Sequence, residues 1–132
     1  MKPEIKARWL AALRSGDYRQ SQYRLREGDA YCCLGVLCDL VRREVGGEWL
    51  KATNALDGND KTLWPDATEN TYVFNAGQAD STGGMLPPVV AHYAGLDVNH
   101  LGVRILPHLM LTDMNDQGSN FAEIADSIEK HL

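Results

Sequence analysis

Apolar residues recur at helical spacing near both ends of the chain. The stretch 3–15 begins with Pro3, which suits a first helical turn, and is followed by a glycine, a typical C-terminal cap. Its apolar face consists of Ile5, Trp9, Ala12 and Leu13. In the stretch 120–132, Asn120 and Glu123 have the spacing of a capping box. The apolar face there consists of Phe121, Ile124, Ala125, Ile128 and Leu132. The pattern predicts a helix in each stretch.

The most apolar run of the chain, residues 30–41, carries apolar residues on every side. Asp29 is a suitable N-cap, and Gly46 and Gly47 are a suitable terminator, so the run favours a buried central helix. A strand over the first half of the run is the alternative.

Prolines mark two further helix starts. The sequence Leu86-Pro87-Pro88 begins a short helix that ends at a Gly95-Leu96 pair, a pattern typical of a Schellman cap. Pro107 opens another helix that runs toward Met114. The chain is therefore expected to contain four to five helices.

Between the helical stretches, the composition changes. The segment 46–84 holds six of the twelve glycines together with many Asn, Asp and Thr residues, which predicts loops and short strands. Its candidate strands are Glu48 to Thr53 and Asn70 to Ala76. The stretch Tyr18 to Arg26 alternates and is rich in Tyr and Arg, which indicates a strand or an extended arm that ends in the Glu27-Gly28-Asp29 turn.

These elements predict an α+β fold in which four to five helices surround a small antiparallel sheet or hairpins from the 46–84 segment. A chain of 132 residues has room for one domain, 1–132, with a core of its own. The predicted core consists of Trp9, Leu13, Leu34, Leu37, Leu40, Val89, Val90, Phe121, Ile124 and Ile128.

Charge is distributed unevenly along the chain. The first 26 residues carry seven Lys and Arg against Glu4 and Asp17, a net charge of +5. The whole chain has a net charge of −5, so the charges of the other 106 residues sum to −10. A basic block on an acidic body either serves an anionic ligand or pairs with that body in the fold. An acidic chain repels phosphates, so duplex DNA is not an expected partner. Self-association is left open.

The apolar runs also bear on the compartment. None approaches the roughly 20 residues of a membrane span, and the first residues lack the apolar stretch of a signal peptide. We therefore expect a cytoplasmic protein without membrane contact. Cys32, Cys33 and Cys38 lie in an apolar run and cannot build a paired framework, so we expect unpaired, mostly inaccessible thiols.

Two patterns that suggest metal binding are better explained by structure. Asp113-x-Asn115-x-Gln117-Gly118 resembles the start of a calcium loop, but Ile124 stands where that loop needs a bidentate Glu. A helix end and turn are therefore favoured. The adjacent cysteine pair has the wrong spacing for zinc. No pair of titratable groups is recognisably placed for acid–base work, so we expect no cofactor, no metal and no enzymatic activity.

The most informative candidate chemistry is a cluster of Tyr and Arg residues, joined by aromatic residues of the middle segment. Guanidinium groups bind phosphate through paired donors, and aromatic rings offer faces on which a base can stack. The candidate ligand-binding residues are Tyr18, Arg19, Tyr23, Arg24, Arg26, Trp49 and Trp64. The alternatives are that the arginines form a solvated edge or pair with the acidic body, and that the tryptophans cover the sheet.

Three blocks of the sequence carry a resemblance. They read WLAALRSGDYRQSQYRLREGDAYCCLGVLCDL, LPPVVAHYAGL and LTDMNDQGSNFAEIADSIEKHL. Together they resemble a family of small proteins from tailed phages and prophages, with the middle of the chain as the variable part. The resemblance transfers no catalytic residue and implies a phage protein that acts in the bacterial cytoplasm.

Small phage proteins of this kind are often inhibitors of host defence. The analogy implies a non-enzymatic protein that sequesters a small anionic, nucleotide-derived immune signal. The alternative partner is a host defence protein that the chain blocks directly.

Overall fold

Five helices and seven short strands form within the residues that the computed structural model describes, which are 1–52, 68, 70–76 and 84–132. The helices are α1 (Pro3–Ser15), α2 (Cys33–Val41), α3 (Pro88–Ala94), α4 (Leu111–Asp116) and α5 (Phe121–His131). The strands are β1 (Arg19–Gln20), β2 (Arg26–Glu27), β3 (Ala30–Tyr31), β4 (Glu48–Lys51), β5 (Thr71–Asn75), β6 (Arg104–Leu106) and β7 (Leu109–Met110). The predicted α+β fold is confirmed. None of the helices in these residues has the length and apolar character that crossing a bilayer requires.

Five of the strands form one sheet in the order β1-β3-β2-β5-β4, and β6 pairs with β7 in a separate hairpin. Neighbouring strands are antiparallel except for β1 and β3, which run parallel. The sheet is mixed rather than wholly antiparallel, because β3 inserts between β1 and β2, which themselves run in opposite directions. The turn that brings β3 back beside β2 contains Gly28 in a left-handed conformation (φ 57°).

The strands are shorter than the sequence pattern predicts. The Tyr18 to Arg26 stretch contributes β1 near its start and begins β2 at its end, so the arm is strand only at its two ends. β4 and β5 lie within the predicted strands Glu48 to Thr53 and Asn70 to Ala76, and Thr53 itself lies outside the described residues.

The core is built where α1, α2 and α5 meet. Trp9 is fully buried, and its indole N–H donates to the Cys33 carbonyl at 3.0 Å, which docks α1 onto the start of α2. α1 also packs along α5. Eight of the ten predicted core residues are buried in the hydrophobic core. The other two, Leu40 and Val89, are half-buried and pack against that core. Periodic spacing therefore identified the core helices correctly.

α2 begins later than the sequence indicates. The N-cap is Cys32, whose Sγ accepts from the Gly35 N–H at 3.4 Å, rather than Asp29. Ala30–Tyr31 form β3, so a strand occupies only the first two residues of the run rather than its first half, and the helix takes the rest from Cys33. A Cβ on Gly35 would overlap the Leu25 carbonyl, so the helix packs directly against the backbone just before β2.

Two helix ends follow the predicted capping chemistry. Gly95 is left-handed (φ 74°), and the Leu96 N–H donates to the Ala91 carbonyl at 2.8 Å, which completes a Schellman motif. At the start of α5, the Asn120 side chain accepts from the Glu123 N–H at 2.9 Å, and the Glu123 carboxylate accepts from the Asn120 N–H at 3.2 Å. This is the predicted capping box.

Pro107 does not open a helix, so that prediction is wrong. It lies in the turn between β6 and β7, and α4 begins only at Leu111. The residue before a proline favours an extended backbone, and Leu106 ends β6 accordingly. The Arg104 Nη1 donates to the Pro107 carbonyl at 2.9 Å, and the Leu111 N–H donates to the Val103 carbonyl at 2.9 Å. These bonds stabilise a hairpin in place of a helix start.

The cysteines match their predicted role. Cys32, Cys33 and Cys38 are free and buried. Burial raises the pKa of the Cys32 thiol to about 11 and raises the pKa of the other two thiols well above the usual value. A protonated thiol is a poor nucleophile and metal ligand, so the three side chains act as small apolar core residues.

Candidate functional site

One face of the five-stranded sheet carries aromatic rings around a single arginine. The strand register places Arg26 of β2 opposite Tyr31 of β3 on one side and opposite Tyr72 of β5 on the other. Directly opposed residues of antiparallel strands share a face. The guanidinium carbon lies 4.1 Å from the centroid of Tyr72, 5.3 Å from that of Tyr31 and 5.7 Å from that of Trp49. All three rings are within cation–π range.

The rings continue across the sheet as a connected row. Ring centroids lie 5.1 Å apart for Tyr18 and Tyr31, 5.8 Å for Tyr31 and Trp49, and 5.0 Å for Trp49 and Phe74. Every pair is edge-to-face, the arrangement that aromatic quadrupoles prefer. A Cβ on Gly47 would overlap the Phe74 ring, so a glycine lets the buried end of the row form. We call the surface defined by Tyr18, Arg26, Tyr31, Trp49, Tyr72 and Phe74 the aromatic-arginine face.

Asp39 of α2 fixes the polar ends of two rings. The Tyr18 hydroxyl donates to Asp39 Oδ2 at 2.7 Å, and the Trp49 indole N–H donates to Asp39 Oδ1 at 3.0 Å. Burial, and then the bond to Asp39, raise the pKa of Tyr18 far above its usual value. Arg42 Nε lies 3.6 Å from Asp39 Oδ1 and supplies the opposite charge. These bonds fix the orientation of the Tyr18 and Trp49 rings.

Arg26 itself is held by its neighbours without being neutralised by them. Its Nε donates to the Gly28 carbonyl at 2.8 Å. No carboxylate among the described residues lies within 4 Å of its guanidinium. Lys51, opposite Tyr72 in β4, is exposed on the same face and adds a second cation. The face can therefore attract an anion and offer a flat apolar surface beside it.

The structure brings three of the predicted ligand-binding residues together, namely Tyr18, Arg26 and Trp49. Arg19 pairs with Ala30, which puts it on the opposite face of the sheet from Arg26, since successive strand residues alternate.

The other predicted residues lie apart or outside the described residues. The Tyr23 side chain is 71% exposed, and its backbone N–H donates to Asp116 Oδ1 at 2.9 Å, so the side chain projects from the arm. Arg24 is half-buried and already engaged in a contact. Trp64 lies outside the described residues.

Tyr31, Tyr72, Phe74 and Asp39 are not among the ligand-binding residues that the sequence predicts. A signal existed for the first two. The predicted Glu27-Gly28-Asp29 turn folds the chain back and places residue 31 beside residue 26, and Tyr72 lies in a predicted strand. Asp39 gave no usable signal, because a single carboxylate in an apolar helix has no periodic partner in the sequence.

Asn115 of the calcium-like pattern is a structural residue. It is fully buried, and its Oδ1 accepts from the Gln20 side chain at 3.0 Å and from the Cys33 N–H at 3.2 Å. Its Nδ2 donates to the Ser21 carbonyl at 2.8 Å and to Asp116 Oδ1 at 3.3 Å. These bonds tie the arm between β1 and β2 to the start of α2. We call them the Asn115 hub.

The fold and the aromatic-arginine face define a small α+β domain that presents an arginine among aromatic rings. The chain belongs to the family DUF8296, described as a domain of unknown function, whose family model matches residues 1–132. A search of curated proteins and a search of solved structures each find no match.

Proposed function

We propose that this protein captures a small nucleotide-like anion at the aromatic-arginine face and holds it without chemical change. Acting as a phage protein in the bacterial cytoplasm, it would sequester a nucleotide-derived immune signal of the host. The observation that carries the proposal is the guanidinium of Arg26, which lies among three rings and has no carboxylate within 4 Å in the described part of the chain.

The geometry around Arg26 supports binding of a phosphate. The Arg26 Nε donates to the Gly28 carbonyl, and no hydrogen bond within the described residues uses the N–H groups of the two terminal nitrogens, so an anion can take them. Two parallel N–H donors match two oxygens of one phosphate. Tyr72 and Trp49 are half-buried, so a base can pack on ring surface beside the bound phosphate.

Calorimetric titration against a panel of cyclic nucleotides and ADP-ribose-type nucleotides tests the proposal. We expect at least one member to bind the wild-type protein. The substitution Arg26→Ala should remove about 2 kcal/mol of binding free energy, or roughly thirtyfold in affinity. Arg26→Lys should not restore full binding, because an ammonium lacks the planar pair of donors.

The matched control is Arg43→Ala, since Arg43 is an exposed arginine just after α2 and outside the aromatic-arginine face. This variant should bind as tightly as the wild type. The proposal fails if no member of the panel releases heat with the folded protein. It also fails if Arg43→Ala loses as much affinity as Arg26→Ala, because the effect would then reflect overall charge.

The alternative is direct inhibition of a host defence protein. It is favoured by Tyr23, whose ring is 71% exposed while the backbone (φ 68°) is held by Asp116. Exposed tyrosines on rigid supports are common binding hot spots. If Tyr23→Ser abolishes protection of a phage against host defence while Arg26→Ala leaves protection intact, the alternative replaces the first proposal.

A further inference from the structure

A cavity of about 440 Å³ opens between the loop after α3 and the β6–β7 hairpin, and it includes no residue of the aromatic-arginine face. Its volume is within the usual range of small-molecule sites. The cavity lining includes the polar residues Asp97, His100 and Arg104 and the apolar residues Ile105 and Leu106, and it also includes Met1 and Leu132. A lining that combines polar and apolar residues suits a ligand that has a charged end and an apolar body.

A hydrogen bond to Asp97 orients the histidine of the cavity lining, His100. His100 Nδ1 lies 2.7 Å from Asp97 Oδ2, and the Asn99 N–H donates to Asp97 Oδ1 at 2.9 Å. The bond from Asn99, followed by that from His100, lowers the pKa of Asp97, so this carboxylate is ionised at neutral pH. An ionised carboxylate only accepts, so His100 Nδ1 carries the proton. This leaves His100 Nε2 as the ring nitrogen available to a ligand.

Arg104 supplies the positive charge of the cavity. One terminal nitrogen donates to the Pro107 carbonyl at 2.9 Å, which fixes the guanidinium against the hairpin turn. Within the described ranges, no carboxylate comes within 4 Å of this guanidinium. The remaining N–H groups can therefore bind an external anion.

The cavity wall also holds the backbone in an unusual conformation. Val103 has φ 60°, a left-handed value that a β-branched residue adopts only at a cost. It is buried, its N–H donates to the His100 carbonyl at 2.8 Å, and its carbonyl accepts from the Leu111 N–H at 2.9 Å. These hydrogen bonds offset the strain and hold the bend that brings His100 and Arg104 to the same cavity.

We propose that this cavity binds a small carboxylate with an apolar body. The guanidinium of Arg104 offers paired donors for the two carboxylate oxygens, and Leu106, which is 38% exposed, offers an open apolar surface nearby. Asp97 adds a negative charge to the same lining, and its repulsion disfavours a phosphate dianion more than a monoanion. This site is independent of the proposed nucleotide site, because the two share no residue.

Octanoate is a suitable probe, and its binding can be followed by backbone amide chemical shifts and by calorimetry on the full chain. We expect octanoate to shift the amide signals of His100, Arg104 and Leu106. Octan-1-ol, which has the same chain without the charge, should bind at least about tenfold more weakly. Inorganic phosphate should not compete with octanoate at equal concentration.

Arg104→Gln is the decisive variant, because glutamine keeps a donor for the Pro107 carbonyl and removes the charge. Its affinity for octanoate should fall about tenfold or more, with an unchanged melting temperature. Leu106→Ser, at a partly exposed position, should also weaken octanoate binding, whereas the distant Arg43→Gln should not. The proposal is overturned if octanoate shifts none of the three signals, if octan-1-ol binds as tightly, or if Arg104→Gln and Arg43→Gln bind octanoate equally.

Discussion

The Asn115 hub and the aromatic-arginine face lie at the two ends of the arm between β1 and β2. They differ in how completely their polar groups are hydrogen-bonded within the protein. Asn115 is fully buried and directs both its amide oxygen and its amide nitrogen to protein partners. Arg26 is half-buried and gives one N–H to the Gly28 carbonyl, while the rest of its guanidinium meets aromatic rings.

The difference separates a region that stabilises the fold from the region that we propose binds a ligand. A buried polar group whose bonds are all made within the protein specifies one fold, because any rearrangement leaves partners unpaired. A cation that retains free donors gains most from a ligand. Substitutions in the hub should therefore affect unfolding, and substitutions in the face should affect binding.

The largest effect is expected for Asn115→Ala. The substitution leaves the Cys33 N–H and the Ser21 carbonyl without their partner, while the Gln20 amide keeps its bond to the Ser119 carbonyl. The free energy of unfolding should therefore fall by about 3 kcal/mol. Urea denaturation followed by Trp fluorescence measures it. The control Asn99→Ala removes an exposed amide and should change stability by less than about 0.5 kcal/mol. Equal effects of the two substitutions would contradict the role of the hub.

Alkaline pH should destabilise the two regions in sequence. Burial raises the folded-state pKa of Cys32, which lies next to the hub, to about 11. The protonated thiol therefore contributes its full stabilisation of the folded state below the usual thiol pKa. This stabilisation is lost as pH rises toward 11, because the unfolded chain releases its proton first. The loss should be on the order of 2 kcal/mol. The raised pKa of Tyr18 in the face acts in the same direction, beginning near the usual tyrosine value.

Melting temperature measured from pH 8 to pH 11 checks this order. Cys32→Ser keeps an N-cap acceptor for the Gly35 N–H and removes one titrating thiol, so it should lessen the first part of the decline, to which Cys33 and Cys38 also contribute. Tyr18→Phe should flatten only the later part. A melting temperature that stays constant over this range would show that these groups do not titrate differently on unfolding.

The smallest effects on stability are expected for the arginines. Arg26→Met should cost about 1 kcal/mol, because the cation–π contacts are lost while the aliphatic contact with the rings is kept. Arg14 pairs with Asp126 and Glu129 at 2.8 and 2.9 Å, but both carboxylates are well exposed, so Arg14→Met should cost less and show its effect only at low salt. Urea midpoints at two salt concentrations separate the two cases. A larger loss for Arg14→Met would reverse the comparison.

Most of the helical fold could be predicted because its signals are local. The face of Ile5, Trp9 and Leu13, the Schellman cap at Gly95 and the capping box at Asn120 each depend on residues no more than eight positions apart. The late start of α2 could not be predicted this way. It depends on strand pairing of Ala30–Tyr31 with two other segments, which outweighs the local preference of Asp29 for a helix N-cap.

The candidate site could be predicted only in part, for a related reason. Composition identified Arg26 and Trp49 as suited to ligand chemistry, but only the strand register shows that Arg26 meets Tyr31 and Tyr72. The same register separates Arg19 from Arg26, although both belong to one basic stretch. The cavity at His100 and Arg104 has no pattern of its own in the sequence. It forms between a loop and a hairpin, in a stretch where Pro107 predicts the start of a helix.

The packing of α1 against α5 has a consequence for the protein during its synthesis. At about 5–20 residues per second, roughly 6 to 23 s separate the end of α1 from the end of α5 on a translating ribosome. During that time, the apolar face of Ile5, Trp9 and Leu13 lacks its C-terminal partner and is available to chaperones. Packing of α1 on α5 therefore waits for the C-terminal helix to be made, and its rate depends on contacts far apart in sequence.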